Sequence, residues 1–332
     1  MYNGSVQYRK FGRLEWSVSE IGFGAWAIGG SWGSVSEEDA HAALTAAADH
    51  GVNFIDTADV YGDGRSERIV ADFLKTRSER IYVATKAGRR LSPHVADGYN
   101  ADNLRRFVDR SLENLGHSPI DLLQLHCPPT DVFYQPETFS ALDDLVAEGV
   151  ITAYGVSVEK VEEGIKALEY PNLASIQMVF NMFRQRPSDL LFRLANQRNV
   201  AVLARVPLAS GLLTGKFGAD TTFTGDDHRN FNRNGDAFDV GETFAGIPYE
   251  VGLAAVERLR TLCPESMSMA QFALRWILQF DAITTTIPGA KNREQAAANA
   301  ETSGMATLDW ETLEGVRAVY QEMVAPEVHQ LW

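Results

Sequence analysis

Eight short apolar runs recur along this chain, separated by stretches of helical periodicity, and that alternation restricts the fold more than any other feature. The runs fall at 20–28, 53–56, 82–86, 122–126, 153–157, 175–179, 200–205 and 283–287. Between them, Ser36-x-x-Asp39 caps an alanine-rich helix that ends near Gly51. Helical spacing then marks 67–75, 103–115, 139–146, 161–168, 189–198, 250–262 and 269–279. Eight strand–helix units predict an α/β fold closed as a (β/α)8 TIM barrel rather than an open sheet. The 332 residues exceed the roughly 250 of a plain barrel, so the surplus goes into elaborated loops. No Ser/Gly-rich linker breaks the pattern, and residues 1–332 read as one domain. Two strand-like runs between Tyr8 and Val18, around Gly12-Arg13, predict an N-terminal β-hairpin. The irregular segment Gly218–Ile247 follows the seventh run, on the face where a barrel carries its site, and reads as a lid.

Three successive strands end in ionisable residues. Asn53-Phe54-Ile55 runs into Asp56, with Tyr61 in the glycine-bounded loop beyond; Tyr82–Thr85 ends on Lys86, and Leu122–Leu125 ends on His126. In a parallel barrel the C-terminal strand ends share one face, so these four residues converge there. Singly, each has a plainer role: Asp56 a turn former, Tyr61 a surface anchor, Lys86 a solvated strand end, His126 a core histidine. Jointly, with the flanks IDTADVYGDGRSE, ATKAG and LLQLHCP, they read as a catalytic set. There is no HxH or HExxH spacing, and no metal is expected. Cys127 beside His126 makes no nucleophile–base pair, because neighbours on a strand point to opposite faces.

In order and flanks these residues resemble the Asp, Tyr, Lys and His tetrad of the aldo-keto reductase superfamily, and its bacterial NADP-dependent branch in particular. The resemblance covers nearly the whole chain. It implies a nicotinamide-dependent oxidoreductase that reduces an aldehyde or ketone, or runs the reverse oxidation of an alcohol or aldose. Tyr61 is then the proton donor, Lys86 lowers its pKa from near 10, Asp56 is the counter-ion of Lys86, and His126 orients the carbonyl oxygen. The competing function is an NADP-binding regulatory or interaction subunit of the same fold, like the potassium-channel beta subunits. Those lack a histidine at the position of His126.

The same resemblance implies where a dinucleotide lies. Ala25 and Trp26 are cofactor contacts, and Ser157 and Gln177 hold the nicotinamide carboxamide. Arg205, Pro207, Leu208, Ser210 and Lys216 belong to the RVPLASGLLTGK loop around the pyrophosphate, and Arg229 adds a further cation. Gly289, Lys291, Gln295 and Asn299 match the 2′-phosphate pocket, with Arg293 nearby, at a helix start that favours an anion. Two cations there favour NADP(H) over NAD(H). Arg205 departs from most relatives, which place there an aromatic that stacks on the nicotinamide. The substrate pocket is expected from Trp26, Trp32, the segment after His126, the 218–247 segment and the tail 328–332.

Gly22-x-Gly24-x-x-Ala27 matches the glycine fingerprint of dinucleotide-binding turns, which must open a helix directly. Here glycine-rich sequence continues to Gly33 and the helical pattern waits until Ser36, so that reading is rejected. A net charge of −14 argues against a general nucleic-acid or membrane surface while leaving room for a local cationic pocket. Two cysteines make no disulfide framework, and no run approaches the roughly 18 apolar residues of a membrane span. A cytoplasmic enzyme acting on a small-molecule carbonyl is expected, with self-association left open.

Overall fold

The computed structural model describes residues 6–30 and 35–332; Trp32, expected at the substrate pocket, lies outside them. β1 (Tyr8–Lys10) and β2 (Ser17–Ser19) pair antiparallel as the hairpin. Eight parallel strands follow: β3 (Phe23–Gly24), β4 (Phe54–Asp56), β5 (Tyr82–Ala87), β6 (Ile120–His126), β7 (Ile151–Ser157), β8 (Ser175–Val179), β9 (Ala201–Arg205) and β10 (Ile283–Thr286). Each pairs with its neighbour in sequence from β3 to β10. The outer helices include Glu37–Asp49, Arg65–Leu74, Ala101–Leu115, Pro136–Ala147, Tyr249–Arg260 and Arg293–Glu301. Ser36 caps the first as expected, and Asn100 and Asn292 do the same elsewhere, each accepting a backbone N–H from the first turn.

The first and last strands meet. Parallel bridges join Ile21 to Thr286 and Gly24 to Gly289, and the Gly24 N–H donates to the Pro288 carbonyl at 3.0 Å. A Cβ at Gly24 would sit 2.5 Å from the Ile287 carbonyl oxygen, so the seam demands glycine there. The glycines that imitate a phosphate-binding fingerprint thus serve barrel closure.

One expectation needs correction here. The first barrel strand is two residues long, not the nine of 20–28, because a single helical turn, Trp26–Gly29, follows at once and Gly30 ends it at φ 111°.

Alternation along the strands divides the interior in two. Outward residues such as Ile55, Val83, Leu123, Leu125, Val156, Ile176 and Val202 pack under the helices. Inward residues Phe54, Ala84, Leu122, Ala153, Ala201 and Leu203 form a separate core inside the barrel, closed from below by Phe11 and Val18 of the hairpin. Phe11 stacks on Phe54 at 5.7 Å and Trp16 on Tyr82 at 4.7 Å. The next inward positions along the same strands are polar and buried: Asp56, Lys86, Gln124, His126, Ser157, Gln177 and Arg205. Apolar floor and polar rim are therefore consecutive turns of one period-2 pattern.

Candidate active site

Asp56, Lys86 and His126 occupy the last or next-to-last positions of β4, β5 and β6. Tyr61 reaches them from a loop braced on both sides. Gly62 adopts φ 61°, and a Cβ there would lie 2.1 Å from the Gly29 carbonyl oxygen, so the loop packs directly on the turn that carries Trp26. Asp63 takes Arg90 at 2.5 Å and Arg110 at 2.6 Å. Ser66 donates to the Ala25 carbonyl at 3.0 Å, and Glu67 accepts from Thr85, next to Lys86, at 2.6 Å. The Trp26 ring stacks over Tyr61 at 6.0 Å.

The four side chains are in contact. The Lys86 ammonium lies 2.5 Å from Asp56 Oδ2, 2.8 Å from the Thr57 carbonyl and 3.3 Å from the Tyr61 hydroxyl. Asp56 Oδ1 accepts from Gln177 at 2.7 Å and Gln124 at 3.1 Å. The Tyr61 and His126 rings meet edge-on at 5.8 Å. Lys86 is 1% exposed, a burial an ammonium tolerates only when paired.

The electrostatics differ from the sequence expectation at Tyr61. Burial raises the phenol above its ordinary value, Lys86 lowers it, and Asp56 and Glu242 raise it further, so the net shift is upward. Lys86 spends its charge on Asp56: burial lowers its pKa, but Asp56 and then Tyr61 raise it to a net increase. The tyrosine therefore holds its proton. His126 is pushed well below its usual range by burial, then by Arg89, Lys86 and Arg205; it is a neutral imidazole, and its Nδ1 has no partner among the described residues.

A cleft of about 420 Å³ opens over this set. Asp56, Tyr61 and His126 line one end, and Gly289, Lys291, Gln295 and Asn299 the other. Trp26, Gln177, Arg205, Pro207, Leu208, Ser210, Lys216, Arg229 and Glu242 also line the cleft. Ala25 and Ser157 are not on the wall. Ala25 is fully buried with its N–H on the Asp56 carbonyl, and Ser157 sits behind Gln177, donating to its side-chain oxygen at 3.3 Å. Gln177 is itself committed to Asp56 and Ser157. Gln295 accepts the Lys291 N–H at 2.9 Å, and Asn299 donates to the Gly289 carbonyl at 3.2 Å.

Two features of the cleft fit a phosphorylated dinucleotide. Val206, Ala209, Ser210 and Gly211 all take positive φ, a run of tight turns whose small residues let an anion approach the main chain, although the Ala209 and Gly211 N–H groups are bonded within it. Lys291 and Arg229 both line the cleft; Arg229 is held by Asp227 at 2.5 Å, and burial, then the Arg229 charge, lowers the Lys291 pKa.

Sequence reasoning missed a buried quartet. Arg205 pairs with Glu159 at 2.8 Å and Glu242 at 3.5 Å. Arg89 pairs with the same two carboxylates, with Glu159 at 3.3 Å and with Glu242 more closely. Cys127, Glu159 and Glu242 bring potential metal ligands within 4.8 Å, but the two guanidiniums already occupy both carboxylates. Arg89, Glu159 and Glu242 come from three separate segments with no shared motif; Arg89 and Glu159 follow the ends of β5 and β7, and nothing local signals Glu242.

The sequence profile of the Aldo/keto reductase family matches residues 20–321. Aldo-keto reductase YhdN of Bacillus subtilis (strain 168) is 30% identical over 333 residues, 97% of this chain and 96% of its own. The glycerol dehydrogenase AKR11B4 from Gluconobacter oxydans has a TM-score of 0.76 at 30% identity, covering 98% of this chain and 97% of that one. The holo form of aldo-keto reductase AKR11C1 from Bacillus halodurans also reaches 0.76, at 26% identity over 95% and 96% of the two chains. With the profile spanning both the barrel and its polar rim, the chain belongs to the aldo/keto reductase family of oxidoreductases.

Proposed function

We propose that this protein interconverts a small-molecule carbonyl compound and its alcohol, with NADP(H) preferred over NAD(H) and Tyr61 as the proton donor. The observation that carries the reading is the Tyr61 hydroxyl 3.3 Å from an ammonium that is itself held at 2.5 Å by Asp56, on the wall of the cleft beside His126.

When bound, the nicotinamide dinucleotide supplies or accepts the hydride. The chain does the rest. Val206 to Gly211 and Lys216 hold the pyrophosphate, and Lys291 and Arg229 balance a 2′-phosphate. Neutral His126 donates an N–H to the carbonyl oxygen and turns its carbon toward the ring. As negative charge develops on that oxygen, Tyr61 gives up its proton, and Lys86 stabilises the phenolate left behind. A tyrosine whose pKa is raised is fully protonated at neutral pH, the form that reduction needs. Trp26 lines the cleft over Tyr61, with ring centroids 6.0 Å apart, and backed by Phe238 at 5.9 Å it screens this end from water. The relative described as a glycerol dehydrogenase supports assaying polyol oxidation beside carbonyl reduction.

Tyr61→Phe tests the assignment. Carbonyl reduction should fall by at least ~10²–10⁴-fold, the contribution of general acid catalysis, with NADPH affinity nearly intact. Turnover within a few-fold of wild type would remove Tyr61 from the mechanism.

A further inference from the structure

The cleft that holds Tyr61 and His126 is also lined by Arg205 and Glu242, close enough for the Arg205 charge to act on His126 and that of Glu242 on Tyr61; both belong to the quartet of two guanidiniums and two carboxylates. We propose that Arg89, Glu159, Arg205 and Glu242 form a charge-balanced floor that sets how strongly the site distinguishes an oxidised, cationic nicotinamide from a reduced, neutral one. This rests on reading the cleft as a dinucleotide site.

The placement follows from reach. The ring of the dinucleotide must approach a carbonyl held by Tyr61 and His126, so it occupies the end lined by Arg205 and Glu242. With both carboxylates ionised the quartet sums to zero. Losing one negative charge leaves a net positive floor, which repels the cationic ring and leaves the neutral ring almost untouched. At the effective dielectric of a protein interior, a unit charge a few ångströms away is worth roughly tenfold or more in binding.

The quartet contains its own switch. Glu159 faces Arg205 from β9, Arg89 from the turn after β5, Glu242 from the 218–247 segment, Cys127 after β6 and Arg184 after β8. Burial, opposed by Arg205 and reinforced by Glu242, lifts its carboxyl to about 7. Burial also acts on Glu242, but Arg89 and Arg205 outweigh it and hold that carboxyl well below its usual range. Burial keeps Cys127 a neutral thiol, and His126 is neutral throughout. As pH falls through about 7, the floor therefore gains one positive charge, at Glu159.

The experiment measures binding, not turnover. NADPH affinity is read from its fluorescence, and NADP+ affinity from its displacement of NADPH, between pH 6 and 8.5. The quantity of interest is the ratio of the two dissociation constants. Titration of the 2′-phosphate is common to both ligands and cancels in it. In the wild type, the ratio of NADP+ to NADPH dissociation constants should rise by roughly tenfold as pH falls across this range. Glu159→Gln should make the ratio flat at the wild-type low-pH value. Because Glu159 carries a proton about half the time near pH 7, this variant costs the fold little. Glu242→Gln should raise the ratio by roughly tenfold or more at pH 8.5, where Glu159 is ionised. A wild-type ratio that does not move with pH, or one that moves equally in Glu159→Gln, overturns the proposal while leaving the dinucleotide site standing. Failure of the wild type to bind either dinucleotide sinks both.

Discussion

Asp59 has 0% of its surface exposed, and neither of its carboxylate oxygens has a hydrogen-bond partner among the described residues. Burial, then the nearby Glu67, pushes its pKa up from 3.8 to about 7, against the lowering effect of Arg90 and Arg110. Between about 4 and 7 the folded state binds more protons here than the unfolded chain, so the stability contribution of this group falls as pH rises through that window. Asp59→Asn removes the charge and keeps the shape. We expect it to stabilise the protein at pH 8.5 by on the order of 2–4 kcal/mol and by less than half as much at pH 5, where only part of the window has been crossed, measured by denaturant unfolding at both values. A gain of equal size at both pH values would mean that charge is not the cause. At this scale much of the site was legible: Asp56, Lys86 and His126 each close a strand whose apolar residues announce it. Asp59 was not, because the same IDTAD sequence would suit a solvated turn. The quartet was hidden for another reason. Arg89 and Glu242 stand 153 positions apart, and no local pattern records a pairing made by the closed barrel.

Among elements, the helix Arg293–Glu301 has the sharpest consequence. Asn292 caps it by accepting the Gln295 N–H at 3.0 Å, and Lys291 before it and Gln295 and Asn299 on it line the cleft, where the helix N-terminus favours an anion. We expect Lys291→Ala to weaken NADPH binding by about 1–3 kcal/mol and NADH binding far less, since only the former carries the 2′-phosphate. Fluorescence titration with both reduced cofactors decides it, and an equal loss for both would assign Lys291 a general role. The helix start was readable because strand, glycine and cation follow one another within a dozen residues. Element boundaries were less readable where tertiary contact overrides pattern. The apolar run 20–28 looks like one strand, yet packing of the Trp26 turn against the Tyr61 loop bends it after two paired residues. The segment 218–247 carries no periodicity, and its order comes from contacts elsewhere. Ser210 donates to the Glu242 carbonyl at 3.0 Å, and the Trp332 indole N–H donates to Asp239 at 2.8 Å.

At the scale of the molecule, the question is whether residues 1–332 unfold as one body, as we propose. The ends of the chain are tied together. Arg9, in the hairpin, donates to the carbonyls of Leu278 at 2.7 Å and Ile283 at 2.6 Å, and Glu20 accepts from Ser303 at 2.8 Å. Every barrel strand needs both neighbours, and the inner core is complete only when the hairpin seals it with Phe11. Phe11→Ala opens a cavity at that seal, for which the expected cost is about 3–5 kcal/mol. If the barrel is one cooperative unit, the whole transition shifts to lower denaturant together: far-UV circular dichroism, tryptophan fluorescence and loss of dinucleotide binding should have coincident midpoints. A local floor would behave differently. Fluorescence from Trp16, on the hairpin, would change first, while binding at the opposite end of the barrel survived to the original midpoint. That outcome would make the hairpin a detachable plug, and the barrel alone the folding unit. The hydrogen bonds from Arg9 into the loop before β10 argue for the first outcome, because they anchor the hairpin to the strand that closes the seam.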